Sequence, residues 1–443
     1  MIQCNWNKTL KEGFNMSQDN YIRKLINLKD KNIKFYENWC QDGFKKNKKC
    51  KILNAYLSYI PHHCDKCGIV FESNKNFEKK GFKNSLIVIP KICRIDSYLS
   101  LNKQRIKCLH CYKSFTCSTS LVDYGCFISN NTKLSITQDL IKKISEKDIA
   151  IDNNVSPNTV ERVIDSYYST QKLYKHYLPE VLSFDEFKSV KSADGAMSFH
   201  MCNGKNGKII DIVEDRRLHS LIKYFAYFTH KARSNVKLIV IDMYSPYISL
   251  IQKMFPNAKI IIDKFHIINL ISTALNKTRI KLMKKDKKNY NKLKRYWRLI
   301  LKSSNELNNS KWKKYTCFKE MMTQSDVVNY LLNTNDELKY TYDIYQDLLQ
   351  AIKTNNYKLL KDVLYNEYNN ISDYMKTSIK TLKGYLNYIK NTLSNPYNNG
   401  YVEGNNNFIK VLKRIAFGFR SFRRFKARIM ICKGLINPIK KEA

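Results

Sequence analysis

Five apolar runs of strand length stand in the middle of the chain: VLSFDEF (181–187), AMSFHMC (196–202), GKIIDIVED (207–215), VKLIVIDMY (236–244) and AKIIIDKFH (258–266). Each is rich in Ile, Val or Phe and is bounded by turn residues or helical sequence. Between the third and fourth, LHSLIKYFAYFTHKA (218–232) has helical character. Three successive strands, a helix and further strands predict an α/β sheet. From about 267 to 395 the chain is Lys-rich, nearly free of Gly and Pro, and helically periodic, and a last helix follows Glu403. Upstream, residues 16–45 read as a short basic helical lead-in. Residues 50–128 hold short β-like runs such as SLIVIP (85–90), and residues 134–178 read as short helices.

The first chemistry lies in the β-like segment. HHCDKCG (62–68) and KCLHCYKSF (107–115) each contain C-x-x-C in a turn-like setting. Zinc takes four soft ligands at tetrahedral corners, and a two-residue gap lets two thiolates reach one ion. Cys64, Cys67, Cys108 and Cys111 are therefore expected to hold one structural Zn2+. The interval between the pairs exceeds that of a compact zinc ribbon, so His62, His63, His110 or Cys93 stand as substitute ligands. The competing reading is ordinary buried thiols.

ITQDLIKKISEKDIAIDNNVSPNTVERVIDSYY (136–168) comes next. Glu146 to Asn153 suits one helix, with Ile149 and Ala150 inward. Asn154 stands where a tight turn needs a left-handed backbone. Val155 plugs the turn, Ser156 caps the next helix, and Pro157 suits its first position. Val160, Val163 and Ile164 supply the apolar spacing. This pattern predicts a helix-turn-helix, whose second helix reads base edges in the major groove. Its candidate readers are Asn158, Thr159 and Arg162. The alternative is a helical hairpin used only for packing.

Charge strengthens the nucleic-acid reading. The 443 residues carry 78 Lys and Arg against 38 Asp and Glu, a net charge of +40. Each base seated on a phosphate releases a condensed counterion, so such an excess favours a polyanionic partner. Asn, Lys, Ile and Tyr are abundant throughout, and compositional bias also raises the charge. The chain has 13 cysteines and no long apolar segment at its N-terminus, which argues for a reducing compartment. No run approaches the ~20 apolar residues of a membrane span. The expected location is the cytoplasm, in association with the nucleoid. Met16 opens a cleaner amphipathic stretch than Met1, which leaves two candidate starts.

Asp185 and Asp242 end apolar runs, where a carboxylate projects from the edge of a packed sheet. Glu403 is the only acid between Asp373 and Glu442, among 15 Lys and Arg. On a helix, Asn407, Lys410 and Arg414 fall within about 40° of its direction, with Phe408, Val411 and Ile415 expected inward. Arg420, Arg423, Arg424, Lys426 and Arg428 would extend this basic track along DNA phosphates. Asp263 has two readings, a cap for a helix beginning near Phe265 or a group beside bound metals. His266 reads as a core histidine. Glu186, Asp211 and Asp215 rank below Asp185 and Asp242 as ligands.

V-x-x-x-D-E-F, L-I-V-I-D-M-Y-S-P-Y, I-I-I-D-K-F-H, N-G-Y-V-E-G-N-N-N-x-I-K-V-L-K-R and A-F-G-F-R-S-F, in that order, resemble the transposases of the ISL-three insertion-sequence family. The resemblance covers most of the chain and includes the paired cysteines and the helix-turn-helix. It implies an α/β ribonuclease-H-like catalytic core with a helical insertion, preceded by a zinc-binding module and a helix-turn-helix. The implied boundaries are 1–48 for the lead-in, 49–130 for the zinc module and 131–178 for the helix-turn-helix. The core would take 179–269 and 396–443, and the insertion 270–395. The family's catalytic triad would be Asp185, Asp242 and Glu403, holding Mg2+ or Mn2+. Hard carboxylates suit these ions, and two of them serve in-line displacement at phosphorus. The implied partners are double-stranded DNA, as element terminal repeats and as target, and a second copy of the chain on that DNA. The alternative is a decayed or domesticated transposase that binds DNA without cutting it.

Overall fold

The computed structural model describes residues 18–45, 47–72, 76–168 and 174–435. Met16 and the beginning of the basic lead-in lie outside these residues. The chain divides into two compact units, Met1–Gln171 with Val411–Ala443, and Lys172–Lys410.

In the first unit, α1 (Gln18–Leu25) is followed by β1 (Ile33–Lys45) and β2 (Lys48–Leu57), then β3 (Phe77–Ile92), β4 (Ile95–Cys108) and β5 (Ser114–Thr116). The sheet order is β1-β2-β4-β3, with β5 on β4. The β3–β4 hairpin turns at Cys93 and Arg94, with φ of 51° and 64°, the double left-handed turn that matches strand twist. Ile87, Ile89, Leu99 and Leu101 alternate into the buried face. The basic lead-in is thus no separate helical segment. Its second half is β1, which pairs along β2 of the zinc module.

Three helices follow, α2 (Asn130–Asp139), α3 (Glu146–Asp152) and α4 (Pro157–Tyr168). Ser145 caps α3 by accepting from Asp148 N. Asn154 takes φ 51° in the turn, and the Tyr98 hydroxyl of β4 donates to its Oδ1 at 3.3 Å. Ile149, Ala150, Val160 and Ile164 are buried, as the helix-turn-helix pattern requires. The C-terminal helix Phe422–Cys432 packs on α4. This differs from the expectation that all of 396–443 joins the catalytic core, since residues beyond Lys410 belong to the first unit. Arg424 explains part of the attachment. It pairs with Glu161 at 2.6 Å and Asp165 at 3.0 Å, one turn apart on α4. Arg428 is 1% exposed and donates from Nη2 to the carbonyls of Lys142 and Ile144. Truncating it would remove two hydrogen bonds from a buried guanidinium, each worth about 1.5–3 kcal/mol. Arg428→Ala is therefore expected to destabilise the unit by about 3 kcal/mol, read as a lower urea midpoint; an unchanged midpoint would contradict this role.

The second unit is built on β6 (Val181–Lys188), β7 (Met197–Asn203), β8 (Ile209–Val213), β9 (Leu238–Ile241) and β10 (Lys259–Ile262). All five predicted strands are present, in the order β10-β9-β6-β7-β8. β6, β7 and β8 are antiparallel neighbours, while β9 lies parallel to β6 and β10 parallel to β9. The predicted helix breaks into α5 (Leu218–Ala226) and α6 (His230–Ser234), and α7 (Ser245–Met254) links β9 to β10. Parallel strands of this kind are covered on both faces, which is why LIVI of β9 and the three isoleucines of β10 read as unbroken apolar runs.

The insertion begins with α8 (Lys264–Lys285), directly after β10. It continues through α9 (Tyr290–Arg295), α10 (Trp297–Ile300), α11 (Gln324–Leu332), α12 (Asp336–Lys353), α13 (Tyr357–Tyr365), α14 (Asp373–Gly384) and α15 (Leu386–Leu393). A small hairpin, β11 (Lys313–Lys314) with β12 (Met321–Met322), interrupts the helices. α15 closes the edge of β10. Asn391 donates to Ile260 O, and Thr392 Oγ1 both accepts from Ile262 N and donates to Ile262 O. The insertion therefore returns the chain to the sheet edge just before α16 (Gly400–Ile415).

Candidate active site

The register of the parallel strands sets the site. Val181 faces Leu238 and Ser183 faces Val240 across β6 and β9. Carried two residues on, that register sets Asp185 level with Asp242. Ile262 faces Ile241 across β10 and β9, which sets Asp263 level with Asp242. Three aspartates thus stand in one row across three adjacent strands, whose spacing is about 4.8 Å. The row joins both predicted strand-end acids and adds Asp263. Its sequence signal was the repeated apolar run ending in Asp, but the sequence does not say that β9 and β10 are neighbours.

Burial, and then the charge of Asp242, push the Asp185 carboxyl up to about 7. His266, one turn into α8, meets Asp242 Oδ2 at 3.0 Å. That hydrogen bond raises its pKa, and burial raises that of Asp263. Ligand atoms of Asp242, Asp263 and His266 lie within 4.8 Å of one another. His266 is therefore part of the site rather than a core histidine. Asp263 occupies the position preceding α8, but its carboxylate accepts the backbone N–H of Asn399 at 3.2 Å. Among the described residues no Lys or Arg bonds to Asp185, Asp242 or Asp263. A row of carboxylates that no Lys or Arg neutralises fits divalent cations, whose hard-ligand preference it matches.

Glu403 approaches on α16, and its side chain is exposed. One turn before it, Asn399 Nδ2 donates to Asp242 Oδ1 at 3.1 Å; one turn after it, Asn406 Nδ2 donates to Asp185 Oδ2 at 2.6 Å. The Glu403 face of the helix is thereby tied to both strand aspartates. The helix buries Val402, Asn405, Ile409 and Leu412, a face one residue away from the expected Phe408, Val411 and Ile415. Asn405 decides the difference. This buried amide donates to Gly207 O in the β7–β8 turn at 2.9 Å. Gly207 has φ 71°, and a Cβ there would come within 2.8 Å of Tyr401, so only glycine admits this seat.

The lower-ranked acids are engaged elsewhere. Glu186 pairs with Arg216 and accepts from the Tyr247 hydroxyl at 2.7 Å. Asp211 accepts from Tyr224 at 2.8 Å, and Asp215 from Arg217 and Ser220.

In the first unit the four predicted thiols converge, with sulfur atoms within 4.8 Å of one another. Cys64 and Cys111 are 3.8 Å apart, and Cys67 and Cys108 3.9 Å. Tetrahedral zinc with bonds of about 2.3 Å spaces its sulfurs by about 3.8 Å, so the set fits the ion. Gly68 and Tyr112 turn the two loops with φ of 76° and 58°, and Lys66 N donates to Cys64 Sγ at 3.3 Å. His110 Nδ1 lies 4.0 Å from Cys67 Sγ, beside the set.

The predicted DNA contacts divide. Asn158 and Arg162 are exposed on α4, and Lys410, Arg414, Arg420 and Arg423 are exposed as well. Thr159 is 7% exposed and its hydroxyl meets that of Ser156 at 3.1 Å, so it serves the turn and not a base edge. Arg424 and Arg428 are held by their own unit, as described above.

A family model described as Transposase, that of the ISL-three DDE type, matches residues 182–429. A Lactococcus lactis protein named ATP-dependent protease is 43% identical over 113 residues, which are 26% of this chain and 36% of that protein. The transposase for insertion sequence element IS1001 of Bordetella parapertussis is 29% identical over 211 residues, 46% of this chain and 50% of that protein. The chain thus matches at most half the length of either relative. A chain of the Drosophila P element transposase strand transfer complex overlays with a TM-score of 0.34 at 12% identity, over 72% of this chain and 94% of that one. Among the described residues no helix is long and apolar enough to cross a membrane. The family model covers more than half of the sequence and spans all three acids of the expected triad, and the chain belongs to the ISL-three family of DDE transposases.

Proposed function

We propose that this chain is a DNA transposase that binds the terminal inverted repeats of its insertion sequence and catalyses metal-dependent cleavage and transfer of DNA strands. The observation that carries the reading is the row Asp185, Asp242 and Asp263, with the helix that bears Glu403 bonded to it through Asn399 and Asn406. The strand order, three antiparallel strands with two parallel ones added beside the first, supports the ribonuclease-H-like core that the family resemblance implies.

Asp185, Asp242 and Glu403 would hold Mg2+ or Mn2+. Bound there, a pair of such ions would activate an attacking oxygen and stabilise the leaving one at phosphorus. The protein's own groups do the rest. The carboxylates fix the position of the site, and His266 holds Asp242 in one orientation. Lys410, exposed two turns beyond Glu403, offers a charge to the DNA backbone. Asn158 and Arg162 would read the terminal repeats from α4 in the major groove, and two bound ends require at least two copies of the chain. The Zn2+ site has four protein ligands and leaves no open position for chemistry; its part is to fold the module.

A DNA-binding protein without catalysis would use the same zinc module and helix-turn-helix. It would have no use for three crowded aspartates, whose mutual repulsion is a standing cost. The deciding experiment is strand cleavage of a supercoiled plasmid carrying both element ends, with Mg2+ and with chelator. Metal-dependent nicks at the ends are expected. End binding without any nick would favour the non-catalytic reading.

A further inference from the structure

The Glu403 helix meets the catalytic strands through two neutral amides. Asn399 is 7% exposed. Its side chain donates to Asp242 and its backbone N–H to Asp263. Asn406 donates to Asp185 and has a second, longer contact to Glu186 O at 3.4 Å. Asn399, Glu403 and Asn406 stand at i, i+4 and i+7, on one side of the helix. We infer that Asn399 and Asn406 are positioning residues that register Glu403 against Asp242 and Asp185 through uncharged donors, leaving the carboxylate charge for cations. The inference rests on the triad reading above.

Three observations support it. The chain carries 78 Lys and Arg, yet amides occupy the two positions on this helix that face the strand aspartates. A lysine in either place would neutralise the carboxylate and compete with a metal ion. Next, the amide oxygens Asn399 Oδ1 and Asn406 Oδ1 are both buried without a hydrogen-bond partner. Such atoms are rare because they are costly, so packing alone does not account for two of them on one helix face. Finally, Asn399 bonds both Asp242 and Asp263, and its carbonyl accepts Glu403 N at 3.0 Å, in the first turn of the helix. One residue therefore fixes the spacing between two strands and the start of the helix that carries the third acid.

The test is Mn2+ binding to the full chain, followed by the loss of free-ion electron paramagnetic resonance signal, with thermal unfolding of the same samples. The wild type is expected to show a site that Asp242→Asn removes. Asn399→Ala and Asn406→Ala should each weaken that site about 10-fold, the scale on which partners of metal ligands act. Asn406→Lys should abolish it while the melting temperature holds or rises, because the ammonium takes the cation's place. A residue that merely supports the fold would move both readouts in the same direction. Asn406 is only half-buried, so its two variants keep the test decisive if Asn399→Ala fails to fold. Unchanged Mn2+ affinity in the alanine and lysine variants overturns the positioning role alone. A wild type without any site sensitive to Asp242→Asn overturns the triad reading beneath it.

Discussion

Serine in place of Cys108 is expected to unfold the two cysteine loops of the zinc module and to abolish binding to the element ends. Purified wild type should carry about one equivalent of zinc per chain, and the variant almost none. The four thiols come from two loops on different strand ends, and β4, which ends at Cys108, is the strand that pairs with β2, β3 and β5. Zinc binding in small modules supplies about 10–16 kcal/mol of apparent folding free energy. This unit has an apolar core of its own around Leu53, Ile87, Leu99 and Ile106, so part of the sheet's stability survives metal loss. The loops do not, because three uncoordinated thiols and a hydroxyl at this spacing replace four metal bonds with weak contacts. The effect should reach DNA recognition. Tyr98 of β4 donates to Asn154 in the turn between α3 and α4, so a weakened sheet loosens the mounting of α4. Less than half an equivalent of zinc in wild type, or a variant that melts and binds like wild type, would refute the assignment.

Much of this architecture was legible because burial writes itself into residue type. The five strands of the second unit are strand-length apolar runs, and Asp185 and Asp242 stood out because each closes one. Asp263 closes a third such run and was left between two readings. What the sequence lacks is adjacency, since only the parallel register of β9 with β6 and β10 makes a row of three acids. The turn at Asn154 was legible for a different reason, because few residues accept a left-handed backbone. Thr159 departs from the expected reader position because the N-terminal turn of α4 has an inner side, and its hydroxyl meets that of Ser156 there.

The basic C-terminal run shows the opposite failure. Read as composition, Arg420 to Arg428 is a track for DNA phosphates. Read as periodicity, Arg424 and Arg428 are one turn apart, as are Glu161 and Asp165 on α4. The two acids on α4 were the available sign for Arg424, which bonds both, while Arg428, held by the carbonyls of Lys142 and Ile144, shows its role only through its place among the apolar residues of its helix. β1 escaped notice because IKFYENWCQDGFK has no clean alternation, and as an edge strand it buries few side chains. The inward face of α16 was displaced by one position because a buried asparagine, Asn405, carries the seat where an apolar residue was sought.

Asp242→Asn and Glu403→Gln are each expected to lower cleavage at the element ends by at least about 10^3-fold while end binding and melting temperature stay near wild type. The substitutions are isosteric, remove the charge and turn one acceptor oxygen into an amide donor. Charge stabilisation by catalytic metals is worth several kcal/mol, and each 1.4 kcal/mol is about a factor of ten in rate, which sets the scale. Asp242 should be the more sensitive of the two. It stands in the middle of the aspartate row, with His266 on one oxygen and Asn399 on the other. Replacing it relieves repulsion on Asp185 but gives up one of the bonds to His266 and Asn399, so the Asp242→Asn protein should stay near wild-type stability. Glu403 is exposed, and its loss should leave stability unmoved. Cleavage by Asp242→Asn at the wild-type rate would remove that residue from the triad. Cleavage lost in Asp242→Asn but retained in Glu403→Gln would instead assign the third ligand to Asp263, the acid that completes the row.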